Sequence, residues 1–191
     1  MEAAQARYSA RSFHPAAVPR ENVERILEAA RWAPSWANTQ PWEFYVATGA
    51  VWERIKEEWL ALYDQGVEIH PDLPVPGSWP EELNRRAAET GTLLYGSLGL
   101  DRQDAEGRRR FRRLGLEAFG APLAVFLVQH AGLTAWSILD LGIALGQMML
   151  AATAEGLATC PEATLAYYPD VLRRHLNTPA DRQIICGLAV G

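Results

Sequence analysis

The stretch at residues 136–156, WSILDLGIALGQMMLAATAEG, constrains the fold more than any other part of the chain. It is the longest helical pattern in the sequence and is apolar on nearly every side, which places it at the centre of the fold rather than on its rim. Asp140, Gln147 and Glu155 interrupt it, so a membrane-crossing reading is poor. Gly142 and Gly146 lie four apart and would let another backbone approach closely. That approach is either ordinary packing within one chain or a symmetric helix pair at a dimer axis.

The elements around this helix are short. Val23, Ile26, Leu27 and Ala30 recur at helical spacing after Pro19, predicting a helix over residues 20–32. Pro34 and Pro41 stop that helix and bias the residues before them toward extended geometry. Residues 42–48 (WEFYVAT) then read as a strand. Val51, Ile55, Trp59 and Leu62 mark one face of a second helix, and another runs from Glu81 toward Tyr95. Residues 122–129 (PLAVFLVQ) form a strand of the buried type. A short helix over residues 169–176 and a strand over residues 184–190 close the chain. With no repeat and no linker, residues 1–191 make a single domain. The order of elements is α+β, with helices around a small mixed or antiparallel sheet.

Composition excludes several classes. The chain is 49% hydrophobic and 21% charged, with a net charge of -5 and no basic tail, which argues against nucleic acid as a partner. Cys160 and Cys186 form no ligand-like cluster, and His14, His70, His130 and His175 are scattered singly. The N-terminus lacks the apolar core of a secretory signal. A soluble protein of the reducing cytoplasm is the expectation. No GxGxxG follows a strand, and there is no P-loop and no nucleophile elbow. If the chain is an enzyme, a cofactor carries the hard chemistry.

Two segments stay open. Pro71, Pro74, Pro76, Gly77 and Pro80 keep residues 70–80 out of regular structure, leaving a functional lid or a surface excursion. Arg102, Arg108, Arg109, Arg110, Arg112 and Arg113 read as a solvated helix face paired with Asp104 and Glu106, with a phosphate contact as the alternative.

The positive evidence lies in two polar segments. Residues 33–42 (APSWANTQPW) hold Ser35, Asn38, Thr39 and Gln40 on a stiff stretch between prolines, suited to a planar polar ligand. In residues 7–13 (RYSARSF), Arg7 and Arg11 are four apart. On a turn or short helix they would share a face and could clamp a phosphate or pyrimidine oxygens.

These two segments, with EGLATCPEA at residues 155–163 and ICGLAVG at residues 185–191, together resemble the FMN-dependent nitroreductase family. The likeness covers nearly the whole chain in the right order. YGSLGLDRQD at residues 95–104, FGAP at residues 119–122 and TCPEA look most like its nitrobenzoate-reductase-like branch. The resemblance implies a nitroreductase-like fold in an intertwined homodimer with FMN at the subunit interface. Arg7, Tyr8, Ser9 and Arg11 would hold the phosphate and pyrimidine side of the flavin, and Pro34, Ser35, Trp36 and Asn38 would approach from the other subunit. Asp140 falls where many relatives place an amide near the flavin. Pro161, Glu162 and Ala163 would pass backbone groups close to flavin N5, leaving no catalytic side chain. NADH or NADPH would donate hydride, and a small planar aromatic, a nitroaromatic or quinone, would accept it in ping-pong fashion. A dehalogenase- or dehydrogenase-type relative, and a family member that has lost FMN and acts as a binding protein, are the rival readings.

The match has departures. Tyr8 and Trp36 stand where the family more often has a basic residue and a small polar one, and Trp36 would narrow the pocket or add a stacking wall. The flavin-contacting Asn expected before FGAP is replaced in the region of Gly115 or Arg113. Relatives continue past Gly191 with a tail that wraps the partner, so weaker flavin retention and a smaller dimer interface are expected here.

Overall fold

The computed structural model describes residues 2–101 and 103–191, so Arg102 of the arginine-dense segment lies outside the described residues. The elements run α1 (Glu2–Ala6), α2 (Arg20–Arg31), β1 (Glu43–Thr48), α3 (Gly49–Asp64), α4 (Glu81–Ser97), α5 (Ala105–Leu116), β2 (Leu123–His130), α6 (Ala135–Ala154), β3 (Thr159–Glu162), α7 (Pro169–Leu176) and β4 (Arg182–Val190). Two of these, α1 and β3, are not legible in the sequence. Pro161 inside a four-residue run argues against a strand, and β3 exists only as an edge, paired with β4 alone.

The sheet has the order β1-β2-β4-β3, with every neighbouring pair antiparallel. Leu123 and Val125 of β2 pack with Ala144 and Met148 of α6 and with Val23 and Ile26 of α2. The alternate residues Ala124, Phe126 and Val128 face Trp52, Ile55 and Trp59 of α3 on the other side. Helices cover both faces, which is why β2 is apolar from Leu123 to Val128 instead of alternating. A register shift opposite Leu127 and Val128 gives β4 one extra residue. The bulge puts Ile184 on the α3 side while Ile185 joins Leu127 and Leu141 on the α6 side.

Residues 70–80 divide into two parts. The Asp72 carboxylate accepts the Ile184 N–H at 2.8 Å and pairs with Arg173 at 2.7 Å. Leu73 packs beside Leu127 and Ile185. Beyond it, residues 74–80 run exposed over the surface into α4, which buries none of its residues. In the arginine-dense segment, Arg109 and Arg113 pair with Asp64 at the end of α3, and Asp104 instead caps α5 by accepting the Gly107 N–H. The pairing with Asp104 and Glu106 is therefore corrected: the partner lies 45 residues away from Arg109 in sequence, where local spacing cannot reveal it.

The long apolar helix is central on one side only. Asp140, Leu141, Ala144, Met148 and Ala152 of α6 are buried. Its other side leaves Trp136 58% and Leu139 54% exposed, along with Ile143 and Leu150. A Cβ built on Gly142 or Gly146 meets nothing within 4 Å, so no backbone among the described residues uses those glycines. By length and composition α6 could cross a membrane, yet its buried row packs on α2 and the sheet as a core helix does.

Candidate functional site

The segment carrying Arg7 to Arg11 is extended, not helical. Past α1 it lies beside the edge strand β3, where Ser9 bridges Thr159 in parallel and Ala10 donates its N–H to the Thr159 carbonyl at 3.0 Å. The turn or short helix expected to put Arg7 and Arg11 on one face is therefore corrected, because edge pairing with a segment about 150 residues away overrides the local pattern. Arg7 and Tyr8 border a cavity of about 220 Å³ with Thr153, Gly156 and Thr159. Thr159 is buried, and its hydroxyl has no hydrogen-bond partner.

Arg11 opens on a second cavity, of about 360 Å³, formed with Cys160, Pro161, Glu162, Ala163 and the aromatic rings of Tyr95, Phe111, Phe119 and Tyr167. Its guanidinium donates to the Ser9 carbonyl at 3.0 Å and lies 5.9 Å from the Phe119 ring centre. Tyr95 of α4 stacks on Phe111 of α5 at 4.7 Å. Ala118 and Phe119 hold φ at 49° and 53°, a left-handed geometry that is an outlier for a bulky residue. Gly187 of β4 lets the turn after β3 come down on the sheet, since a Cβ there would lie 2.6 Å from Leu165 Cβ.

Glu162 is 9% exposed in this wall. Its Oε2 accepts the Thr164 hydroxyl at 2.9 Å, and Oε1 has no partner. Burial pushes its carboxyl up to about 8, with Thr164 and the Arg11 charge pulling the other way. The folded chain therefore keeps this proton over a range where an unfolded chain, near 4.5, has released it. The associated stability is complete below about 4.5 and falls as pH rises toward about 8. Burial and the neighbouring Glu162 likewise push the Cys160 thiol up to about 11, which leaves it unreactive as a nucleophile. Ala163, just past the strand, is exposed, and its N–H has no hydrogen-bond partner among the described residues.

The other predicted group lies at the opposite end of α6. Pro34 and Ser35 lead into a single turn, Trp36–Asn38, in which Ala37 and Asn38 have φ of 49° and 56°, followed by Gln40 at 48°. Left-handed geometry costs about 1 kcal/mol or more at a residue other than glycine, so three such residues mark a loop held in shape by its surroundings. Ser35 Oγ accepts the Gln40 N–H at 2.9 Å and Asn38 Oδ1 accepts from Gln40 Nε2 at 3.0 Å. Trp36 is 60% exposed and leans on Trp136 at 5.1 Å. Asp140 does not face open space. Both of its oxygens accept the Trp36 N–H, each at 3.2 Å, from a side chain only 5% exposed.

Asp140 thus positions the turn. Asp140→Ala is expected to cost about 1–3 kcal/mol, because the Trp36 N–H loses the carboxyl group that accepts it from a buried position on α6. Urea denaturation measures the loss, and an unchanged midpoint would remove Asp140 from this role.

Within one chain the two groups do not meet. Asp140 and Thr153 are 13 residues apart on one helix, roughly 20 Å along its axis. Arg11, Pro161, Glu162 and Ala163 share one cavity, Arg7 and Tyr8 border its neighbour, and Ser35, Trp36, Asn38 and Asp140 form a separate cluster. Arg112, Tyr95 and Phe111 were missed by sequence reasoning, although the arginine run and the motif around Tyr95 were both visible.

An α+β sandwich with a strained aromatic turn and a cation-lined edge strand is an architecture suited to a planar heterocyclic ligand. Residues 4–191 match the model of the Nitroreductase family. The 4-nitrobenzoate reductase of Pseudomonas putida is 31% identical over 185 residues, covering 97% of this chain and 81% of that protein. The solved structure of the FMN and NADPH-dependent nitroreductase NfnB from Sphigopyxis sp. strain HMH superposes with a TM-score of 0.94 at 33% identity, covering 100% of this chain and 86% of that one. NfnB from Mycobacterium smegmatis, solved in complex with NADPH, gives 0.93 at 32% identity, with 100% and 87% covered. The chain belongs to the nitroreductase family.

Proposed function

We propose that two copies of this chain assemble into a homodimer that reduces small planar nitroaromatic or quinone-like acceptors by a ping-pong mechanism, with FMN between the subunits. The protein is an FMN-dependent NAD(P)H oxidoreductase. The observation that carries the two-chain reading is the separation of the half-sites along α6. A two-fold axis near Gly142 and Gly146 would set two α6 helices side by side in opposite directions. The Trp36–Asn38 turn of one chain then falls opposite the Arg7–Arg11 segment of the other.

The residues present fit a flavin. The unpartnered Thr159 hydroxyl and Arg7 border a pocket able to take a phosphate, and Arg11 with the free Ala163 N–H can meet carbonyl oxygens and a ring nitrogen. When bound, FMN would supply the two-electron chemistry between NAD(P)H and the acceptor that no side chain here offers. The protein's part is to bind and orient. Pro161, Glu162 and Ala163 bring backbone close to the ligand plane, Ser35 and Asn38 form a polar wall, and Trp36 against Trp136 forms an aromatic one that selects for flat acceptors. Reduction of such acceptors in alternating half-reactions fits an open aromatic-walled site with no fixed polar clamp for one substrate.

Arg11→Ala tests the assignment. Removing one charge-assisted contact is worth about 1.5–3 kcal/mol, so the dissociation constant for FMN should rise roughly tenfold to a hundredfold. Fluorescence quenching of added FMN measures it. Wild-type protein that takes up no FMN, or an unchanged constant in the variant, would count against the map.

A further inference from the structure

Among the described residues, Glu162 is the only carboxyl group that is buried and has an oxygen without a hydrogen-bond partner. It also lines the cavity that Arg11 shares with the backbone of Pro161 and Ala163. An ionised carboxylate there would leave one oxygen neither solvated nor paired, whereas a neutral acid has an O–H to give. The groups around it do not compete for that role. Arg11 and Arg112 line the same cavity as guanidinium cations, and neither makes an ion pair with a described carboxylate. Cys160 beside it on β3 holds its proton to about 11, and burial also raises Tyr167. Tyr95 faces the cavity from α4, with its ring stacked on Phe111. With Glu162 neutral, the cavity wall carries the two arginine charges uncompensated, a field that favours an oxygen on which negative charge develops.

The reaction needs such a proton. Reduction of a quinone by NAD(P)H gives hydroquinone and consumes one hydride and one proton. Reduction of a nitro group to nitroso and water likewise consumes one proton beyond the hydride. We propose that Glu162 is the general acid of the acceptor step. The carboxyl O–H breaks, a new O–H forms on the acceptor oxygen, and the carboxylate left behind regains its proton from solvent. This rests on the oxidoreductase reading above, and goes beyond it by giving the Glu162 side chain, rather than its backbone, a chemical part.

Two measurements test it. In the flavin-free wild-type protein, infrared titration should show a carboxylic C=O band that persists to about pH 8 and is absent from Glu162→Gln. In FMN-loaded protein bleached with NADPH and then mixed with nitrobenzene, wild-type recolouring should slow as pH rises past about 8. Glu162→Gln should recolour slowly at every pH with no break, its deficit exceeding any deficit in the bleaching step by roughly tenfold or more. A band lost by about pH 6, or one that survives in Glu162→Gln, overturns the proposal. So does a variant that keeps the wild-type pH break. If the wild type binds no FMN, the oxidoreductase reading fails while the infrared titration still decides the protonation of Glu162. If the variant does not fold, the wild-type band and pH break decide.

Discussion

Trp52→Ala is expected to destabilise the protein by about 3–5 kcal/mol, the usual cost of removing a buried tryptophan. Trp52 of α3 is fully buried against the sheet. Its ring meets Trp59 edge-on at 5.7 Å and Phe126 at 6.1 Å, and its Nε1 donates to the Ala121 carbonyl at 2.8 Å. Truncation leaves a cavity against the central strand and strips a buried carbonyl of its partner. A domain of ordinary stability has roughly 5–15 kcal/mol in total, so the loss is a large fraction of the whole. The melting temperature should fall by about 6–20 °C, given ~2–4 °C per kcal/mol for a chain of this size. Trp52→Phe keeps most of the volume and should fall between the two. A urea midpoint for Trp52→Ala within error of wild type would mean the α3 side is not the packed core described.

The longer helices and the central strands were legible because local signals marked them. Pro19 and Pro169 stand at the starts of α2 and α7, and the apolar run of β2 has no other home than a covered strand. What escaped the sequence depends on distant partners. The geometry of Arg7 and Arg11 is set by Thr159, that of Arg113 by Asp64, and β3 persists through Pro161 because an edge strand needs only one ladder. The site residues were named on a resemblance. The structure adds that Asp140 is spent on the Trp36 N–H and that Glu162 offers a side chain as well as a backbone. The apolar helix shows the limit most clearly: periodicity reports that α6 is apolar on both sides, but not which chain covers the second.

That second side carries the other large effect. Leu139, Gly142, Ile143, Gly146 and Leu150 fall on one stripe of α6, exposed or with open space above them, and Trp136 extends it toward Trp36. In an isologous dimer each residue on the stripe is used twice, so Ile143→Asp places two carboxylates in an apolar seam. Desolvating a charge costs several kcal/mol, and roughly 5 kcal/mol across the pair weakens association by about four orders of magnitude. Wild-type chain is expected at about twice 21.2 kDa by light scattering, and Ile143→Asp at the single mass. Arg20→Asp, on the solvent side of α2, is the control and should stay dimeric. On the proposed two-chain site, FMN affinity should collapse together with the dimer, because Asp140, which holds the Trp36–Asn38 turn, and Thr153, which borders the cavity of Arg7, lie roughly 20 Å apart along α6 of one chain. An Ile143→Asp protein that is monomeric yet binds FMN as tightly as wild type would place the whole flavin site within one chain, and the exposed stripe would then need another explanation.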